Sequence, residues 1–314
     1  KFPNGGVYKY QTGTDKPIDL HNHACFDTET EILTENGWKR FADLDKSEKV
    51  ATRSSAGLLE YQSPTDHIEY RYDGLMAMVE ANNVNFKVTP NHNLFVAKQT
   101  SVKQKMPRFK LLTPGKLPSC SWLCRTAKWD ALDGSWGLRQ AKNGHIKIAA
   151  EDMARYIGLW LAEGSKGKPT HKNKYVLHVD QNVKKREVEK VVAALGMNYH
   201  THTDRNNVSR FTISSKELYG FFAEQGLASE KRVPRYLLNG SAKTLQALLD
   251  GYFLGDGHRE ADTGHRYAAS VSKGLLDDMQ EAAFKLGIPS NLLDYRHLAQ
   301  RKMTYKPSHH GQYH

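Results

Sequence analysis

Two stretches of nine residues, Tyr156–Gly164 (Tyr-Ile-Gly-Leu-Trp-Leu-Ala-Glu-Gly) and Leu249–Gly257 (Leu-Asp-Gly-Tyr-Phe-Leu-Gly-Asp-Gly), share one pattern. Each is an apolar run that ends in a small residue, an acid and a glycine. This predicts a helix that is stopped by a glycine in the left-handed conformation. The acid lies at the negative end of the helix dipole, where its negative charge is unfavourable. A bound cation would reverse that penalty. The small inner residues would let two such helices cross with their backbones nearly touching, which would bring Glu163 and Asp256 side by side.

The segments that follow the two stretches have a similar order of elements. After the first stretch, the pattern predicts a strand over 174–180, a helix over 184–195 and a strand pair over 198–214. After the second stretch, it predicts a strand over 266–272 and a helix over 273–286. The chain therefore contains an internal pseudo-repeat.

The paired stretches resemble the signature helices of LAGLIDADG homing endonucleases. The resemblance implies an α+β domain over 146–314 with a pseudo-two-fold αββαββα repeat, which cuts both strands of a long DNA site. Glu163 and Asp256 would hold Mg²⁺, or another divalent metal, together with phosphate oxygens. Glu163 departs from the usual Asp of the family. Residues 231–234 (Lys-Arg-Val-Pro) resemble the block whose lysine reaches the active site, so Lys231 would polarise water or steady the phosphorane charge.

The charge of the chain favours a polyanionic partner. Lys and Arg number 45 against 34 Asp and Glu, a net charge of +11, as is common in proteins that bind nucleic acid. Alternate residues of a strand share one face, and two-stranded ribbons fit the major groove, where polar side chains can read base edges. The candidate DNA-binding residues are Lys172, Lys174, His178, Gln181, Asn182, Arg205, Asn207, Arg210, His258, Arg259, His265, Arg266 and Arg296.

Length and composition restrict the class of protein. A chain of 314 residues, 39% of them hydrophobic, is globular and has room for two domains. Three cysteines form no disulfide framework and suit a reducing compartment, and Cys120 and Cys124 would need two more ligands to bind zinc. No apolar run could span a bilayer, and the N-terminus is unlike a signal peptide. We expect a cytoplasmic monomer, in a bacterial host or phage-infected cell, that binds double-stranded DNA and no membrane.

The composition changes at Cys25. Residues 25–39 predict a strand, a turn at Asn36-Gly37 and a return strand. Further β-like runs follow at 48–52, 58–62, 66–71, 75–80 and 84–88. We predict an all-β module over 25–127, followed by a linker or small insert over 128–145.

This module resembles the N-terminal half of an intein, the self-splicing Hint fold. In that family a Cys nucleophile opens a stretch like 25–30 here (Cys-Phe-Asp-Thr-Glu-Thr), and a later Thr-x-x-His block is matched by Thr89 and His92. The resemblance implies that the Cys25 thiol attacks the preceding carbonyl and turns the Ala24–Cys25 amide into a thioester. His92 would protonate the departing amine, while Thr89 and nearby amides would steady the oxyanion.

The two ends of the chain complete this interpretation. The segment Thr14–Ala24 resembles part of the nuclease domain of phage terminase large subunits, so residues 1–24 would be the tail of a host protein, an extein in cis, interrupted at Cys25. His309-His310-Gly311 is not the His, Asn and Cys, Ser or Thr ending of an intein, so the C-terminal splicing part is expected to be missing. Two alternatives stay open: a decayed DNA-binding protein that acts as a repressor or RNA-splicing cofactor, and a non-splicing Hint remnant.

Overall fold

The chain divides into two compact units, residues 1–128 and 129–314. The structure, a computed structural model, describes residues 6–9, 25–81, 84–98, 108–118, 120–125, 127–131, 136–140, 144–167, 175–262 and 264–293. Three candidate DNA-binding residues, Lys172, Lys174 and Arg296, lie outside these ranges. Among the helices within them, none is long and apolar enough to cross a membrane.

The described part of the first unit consists of strands and two short 3₁₀ turns, at Phe41–Asp43 and Pro114–Lys116. The strands are β1 (Gly6–Lys9), β2 (Glu31–Thr34), β3 (Gly37–Arg40), β4 (Val50–Arg53), β5 (Leu59–Gln62), β6 (Ile68–Arg71), β7 (Ala77–Ala81), β8 (Val84–Val88), β9 (Leu94–Lys98), β10 (Lys110–Leu112) and β11 (Ser121–Leu123). β3-β2-β4-β5 and β10-β9-β11 form sheets, and β1 pairs with β6 and β7 with β8. The predicted β-like runs are therefore strands, with bounds shifted by one or two residues.

The predicted hairpin near the start of this unit is present, with its turn one residue earlier than expected. Thr34 pairs with Gly37, so Glu35 and Asn36 form the turn. Gly37 opens the return strand at φ 108°, a conformation that favours glycine. The residue that allows the tight turn is therefore Gly37, the first residue of β3.

The second unit contains both repeats. Its elements are β12 (Trp136–Gln140), β13 (Gly144–Ile148), α1 (Ala150–Glu163), β14 (Gly164–Lys166), β15 (Val176–Gln181), α2 (Lys185–Ala194), β16 (Tyr199–Thr203), β17 (Ser209–Ser214), α3 (Lys216–Phe221), α4 (Arg235–Leu238), α5 (Ala242–Asp256), β18 (Gly257–Arg259), β19 (Arg266–Ala268) and α6 (Lys273–Lys285). The order from α1 to α3 is αββαββα, and α5-β18-β19-α6 repeats its first half. The expected α+β architecture is present.

Two predicted boundaries differ from the structure. The hairpin of β12 and β13 begins inside the predicted linker or small insert over 128–145, and β13 continues past the predicted boundary at 146. The strand expected over 266–272 ends at Ala268, the last residue that pairs with β18. Ser272 then caps α6 by accepting a hydrogen bond from the Leu275 N–H at 3.1 Å.

The helices α1 and α5 cross with their main chains in contact. A Cβ built on Gly158 would lie closer than 3.0 Å to the Leu248 carbonyl oxygen, and one built on Gly251 would lie that close to the Arg155 carbonyl oxygen. Leu248 precedes Gly251 by three positions, and Arg155 precedes Gly158 by three positions. The contact therefore has approximate two-fold symmetry. Trp160 and its neighbours on both helices are buried in one core with the sheet β14-β15-β17-β16.

The prediction that the terminal glycines are left-handed was wrong. Gly164 has φ −85° and ψ 152°, and Gly257 has φ −86° and ψ 141°. Each helix passes directly into a strand, β14 or β18, so extended backbone follows it. These glycines are needed for space instead: a Cβ on Gly164 would overlap Trp160, and one on Gly257 would overlap Phe253.

Candidate functional site

The crossing brings the two predicted acids together. Glu163 and Asp256 are the last residues of α1 and α5. A Cβ on Gly255 would lie 2.8 Å from Glu163 Cγ, so the end of α5 lies against the side chain of Glu163. Glu163 is half-buried and Asp256 is exposed, which leaves the pair open to a ligand.

Two lysines cap the ends of these helices. Lys231 Nζ donates to the carbonyl oxygens of Leu161 and Gly164 at 3.0 and 2.9 Å, and to a third carbonyl of the same helix at 3.3 Å. Lys184 Nζ donates to the Leu254 carbonyl oxygen at 2.9 Å and lies 3.4 Å from the Gly257 carbonyl oxygen. Leu254 and Gly257 occupy the same positions in the second nine-residue stretch as Leu161 and Gly164 in the first. Both cations satisfy carbonyls at the negative end of a helix dipole.

The four side chains form one electrostatic group. Burial raises the pKa of Glu163, and the Asp256 carboxylate raises it further, while Lys184 and Lys231 oppose the rise. Although Asp256 is exposed as a residue, partial desolvation of its carboxyl group raises its pKa against the two lysines. Burial lowers the pKa of Lys231, while the charges of Asp256 and Glu163 raise it. The lysines offset the rise at the two acids only in part, so the pKa of both carboxyl groups stays above its ordinary value.

The residues present fit a divalent metal that shares its ligands with a substrate. The described residues contain no group of three or more His, Cys, Asp and Glu side chains placed to hold a metal. Two carboxylates are enough for Mg²⁺ when phosphate oxygens and waters complete its shell. Glu163 and Asp256 are the residues that would hold it.

Lys231, which was predicted to act on water or on the phosphorane charge, lies beside the end of α1. The ammonium group is buried, with 9% of the residue exposed, and its three donors point at the carbonyl oxygens of Trp160, Leu161 and Gly164. In this position the ammonium group holds the helix end and places a positive charge there. Lys184 was not predicted as a site residue.

One face of the four-stranded sheet is polar and open. Leu177, Val179, Phe211 and Ile213 are buried, so the alternate residues of β15 and β17 point away from the core. The register places two histidines of β16 on the same side. The polar side chains on this outer face include His178, Asp180, His200, His202, Arg210 and Thr212.

Contacts on the outer face hold its side chains in place. Arg210 donates to both carboxylate oxygens of Asp180, at 2.8 and 2.7 Å. His178 Nδ1 lies 3.0 Å from Thr212 Oγ1. Burial lowers the pKa of His178, and the Arg210 cation lowers it further, so this imidazole is neutral at pH 7. The face presents one oriented guanidinium and further hydrogen-bonding side chains, a combination that can contact base edges.

Other predicted DNA-binding residues lie elsewhere. Arg205 and Asn207 are in the turn between β16 and β17 rather than in a strand, and Asn207 has φ 62°. Gln181 faces inward with 8% exposure, and its Oε1 accepts from the N–H groups of Asn182 and Val183 at 2.9 and 3.1 Å. Asn182 itself is exposed at the end of β15.

The ribbon of the second repeat has two dissimilar faces. His258 pairs with Tyr267, and both side chains are exposed. Arg259 pairs with Arg266 on the opposite face, where the Arg266 guanidinium lies 4.2 Å from the Phe253 ring centroid. The exposed His265 lies near the ribbon, 3.9 Å from a carboxylate oxygen of Glu260. The ribbon therefore adds four residues to the set of exposed polar strand residues: His258, Arg259, Arg266 and Tyr267.

In the first unit, the structure brings together the three residues of the predicted splicing site. The Cys25 N–H donates to Thr89 Oγ1 at 2.9 Å, and the Thr89 N–H donates to the Cys25 carbonyl oxygen at 2.9 Å. The His92 N–H donates to the Thr89 carbonyl oxygen at 3.0 Å, and its ring packs edge-on against Phe26. Cys25 is fully buried. The nitrogen held by Thr89 is the one that an attack on the preceding carbonyl would release.

Comparison with known families bears on the crossed helices. Residues 243–310 match the model of the LAGLIDADG-like domain family. That segment includes α5, β18, β19 and α6. It covers the second repeat of the pair and not the first.

Two curated proteins match most of the chain. It is 25% identical over 311 residues to the ATP-dependent Clp protease proteolytic subunit of Chlamydomonas moewusii, covering 88% of this chain and 30% of that protein. It is 25% identical over 265 residues to the DNA-directed RNA polymerase subunit beta C-terminal section of Stigeoclonium helveticum, covering 77% and 24%. The chain thus spans less than a third of the length of either relative.

A solved structure also matches part of the chain. It is the crystal structure of I-DmoI in complex with DNA and Mn, which is 17% identical with a TM-score of 0.36, over 47% of this chain and 85% of that chain.

Proposed function

We propose that the second unit is a metal-dependent, site-specific DNA endonuclease of the LAGLIDADG homing type. The observation that carries the proposal is the crossing of α1 and α5, which sets Glu163 and Asp256 beside each other with a lysine at each helix end. The match of residues 243–310 to a LAGLIDADG-like domain supports it. The outer face and the ribbon of β18 and β19 would contact the DNA.

The residues of the chain have distinct roles in this chemistry. A divalent metal held by Glu163 and Asp256 would supply Lewis-acid stabilisation of the charge on the phosphorus centre. Lys231 and Lys184 hold the helix ends rigid and place two positive charges beside that centre, where they stabilise added negative charge. Arg210, oriented by Asp180, and the neighbouring polar side chains position the duplex.

The relatives support a second part of the proposal, that the chain is an inserted element within a host protein. A protease subunit and an RNA polymerase subunit are unrelated in name, yet each matches most of this chain with less than a third of its own length. A mobile segment carried by different hosts would produce this pattern. Residues 1–24 would then be the host segment that precedes the insertion, and a C-terminal splicing part would be needed for complete excision.

The first unit would provide the splicing chemistry from Cys25. Thr89 accepts a hydrogen bond from the nitrogen of the bond that would break, which holds this amide against the β8–β9 connection. The Cys25 thiol would attack the Ala24 carbonyl, and the Cys25 amine would leave with a proton supplied by His92. The thioester that forms keeps the acyl group on sulfur, so the chain is not yet cut.

Cleavage of a defined plasmid tests the nuclease proposal. The substrate carries the host gene joined across the insertion point, and the control plasmid retains the inserted coding sequence at that point. We expect a linear product from the first plasmid with Mg²⁺, none with EDTA, and none from the control. Tight binding without any cleavage would instead favour the DNA-binding or RNA-splicing alternative.

Cys25→Ala is expected to prevent thiol-induced release of the N-terminal segment, because no thioester can form without the thiol. A small thiol added to the parent protein should release a peptide that ends at Ala24, detected by mass spectrometry. His92→Ala should slow this release by about 10²–10⁴-fold, since it removes the proton donor. Cys120→Ala is the matched control and should release the peptide at the parent rate; release from Cys25→Ala would exclude the acyl-shift mechanism.

Affinity for duplex DNA is expected to fall steeply with salt. A protein that makes several phosphate contacts loses about 10³–10⁵ in affinity between about 50 and 200 mM salt. Fluorescence anisotropy over that range measures the slope. Arg210→Gln should weaken binding more than Arg40→Gln, in which another exposed arginine near a carboxylate is lost from the first unit. A flat salt dependence would remove the electrostatic basis of the DNA-binding proposal.

A further inference from the structure

The segment that carries Lys231 is held by side chains rather than by secondary structure. Residues 231–233, here called the lysine segment, form neither helix nor strand. Ser272 Oγ donates to the Lys231 carbonyl oxygen at 2.8 Å. Gln225 binds both backbone groups of Arg232, accepting from its N–H at 2.9 Å and donating to its carbonyl at 3.0 Å. Ser272 and Gln225 are both buried.

Asp278 on α6 provides the strongest attachment. Its carboxylate accepts two hydrogen bonds from the Arg232 guanidinium, at 2.8 and 2.7 Å, and one from the Val233 N–H at 2.8 Å. The Asp278 side chain is 1% exposed. Arg232 lies across Gly274 so closely that a Cβ there would come within 2.6 Å of its Cδ. Three charge-assisted bonds and a shaped surface therefore fix the lysine segment on the first turns of α6.

We propose that Asp278, Ser272 and Gln225 are positioning residues that place the Lys231 ammonium group at the end of α1. The proposal rests on the nuclease function proposed above. A lysine on an unsupported loop would sample many rotamers, and this one must reach three carbonyls beside Glu163 at once. These three positioning residues, here called the clamp, act on the end of α1 only. The lysine at the end of α5, Lys184, comes from a different part of the chain.

A neighbouring ion pair provides a matched control. Arg235 donates to Glu281 on α6 at 2.6 and 3.0 Å, and Glu281 is fully buried. Like Asp278, Glu281 is an α6 acid that binds an arginine close to Lys231 in sequence. None of these contacts involves a backbone group of the lysine segment. Glu281→Gln should therefore destabilise the unit without moving Lys231.

The first experiment measures the position of Lys231 without DNA or metal. Purified protein is treated with an acetylating reagent, and mass spectrometry gives the rate at Lys231. We expect slow labelling in the parent, a several-fold rise in Asp278→Ala and Ser272→Ala, and partial restoration in Asp278→Asn, whose amide oxygen can still accept from Val233. Glu281→Gln should label at the parent rate. Equal labelling of all variants, at a temperature where each is folded, would overturn the proposal.

The second experiment follows the two DNA strands separately. Asp278→Ala should cut one strand about 10²-fold more slowly, as expected for a displaced group, and accumulate nicked plasmid with unchanged DNA affinity. Glu281→Gln should cut both strands at a constant ratio. Faster labelling of Lys231 with an unchanged strand ratio would overturn the positioning role. A parent protein that cuts no DNA would refute the proposed function, while the labelling still decides whether the clamp exists.

Discussion

Replacing Asp256 with asparagine is expected to abolish double-strand cleavage while leaving DNA affinity equal or higher. The carboxylate is one of two groups that would hold the metal, and its loss removes several kcal/mol of charge stabilisation, about 10³-fold or more in rate. Affinity should not fall, because a negative charge next to phosphate is removed. Glu163→Gln should act in the same way, or leave nicking of one strand.

The measurement is a time course on the plasmid that carries the joined host gene, with Mg²⁺ and with EDTA, beside a binding titration in Ca²⁺. Asp250→Asn is the control, since Asp250 is another acid of α5 and contacts Gln246 and Arg266 rather than the paired acids. It should cut at the parent rate. Full cutting by Asp256→Asn, or cutting by the parent in EDTA, would refute the proposed role of the acids.

The same variants have an expected effect on stability without metal. Desolvation of the carboxyl groups raises the pKa of both acids above their ordinary values despite the two lysines. The stability linked to these groups is therefore complete below their unfolded pKa values and is lost as the pH rises through the folded ones. At pH 7 the metal-free amide variants should melt above the parent, more clearly for half-buried Glu163 than for exposed Asp256. Lower melting temperatures would indicate that the acids are structural helix caps.

Gly158→Ala and Gly251→Ala are expected to destabilise the second unit and to stop cleavage. Each new methyl group would overlap a main-chain carbonyl, which cannot rotate away as a side chain can. The cost should reach the top of the about 1–3 kcal/mol range for overpacking, a fall in Tm of about 6–12 °C for a unit of this size. Moving the helices apart also separates Glu163 from Asp256.

Thermal melting followed by circular dichroism measures the first effect, and cleavage well below the lowered Tm measures the second. Gly220→Ala is the matched control, because Gly220 is also helical but a Cβ there meets nothing within 4 Å. It should keep the parent Tm or gain up to about 1 kcal/mol from better helix propensity. Similar melting of all three variants would show that the crossing is looser than the structure indicates.

The repeat could be predicted from sequence because both of its signals are local. An apolar helical run and a small residue inside it can be read directly from the sequence. They predicted the crossing of the two helices and the pairing of Glu163 with Asp256. Lys184 has no such signal. The residue at the same spacing after Asp256 is Asp277, so the repeat itself gives no lysine there. Only the fold shows that Lys184, just after β15, reaches the end of α5.

The DNA-facing residues show a second limit. The strand pair over 198–214 was predicted, but the face that each residue occupies depends on register, and a shift of one position exchanges the faces. His200 and His202 were missed for this reason, and Gln181, which was named, faces the core. The terminal glycines were assigned the wrong conformation because the sequence does not show that the chain continues straight into a strand.

The close approach of α1 and α5 at Gly158 and Gly251 limits how near the paired acids can come. At these two positions the helices touch through backbone atoms, so no smaller residue could bring them closer. The reach of each carboxylate beyond this contact is set by its own side chain, and Glu163 is longer than Asp256 by a single CH₂. Under the proposed chemistry, this difference in length adds to the unequal lysine contacts as a source of asymmetry between the two cuts.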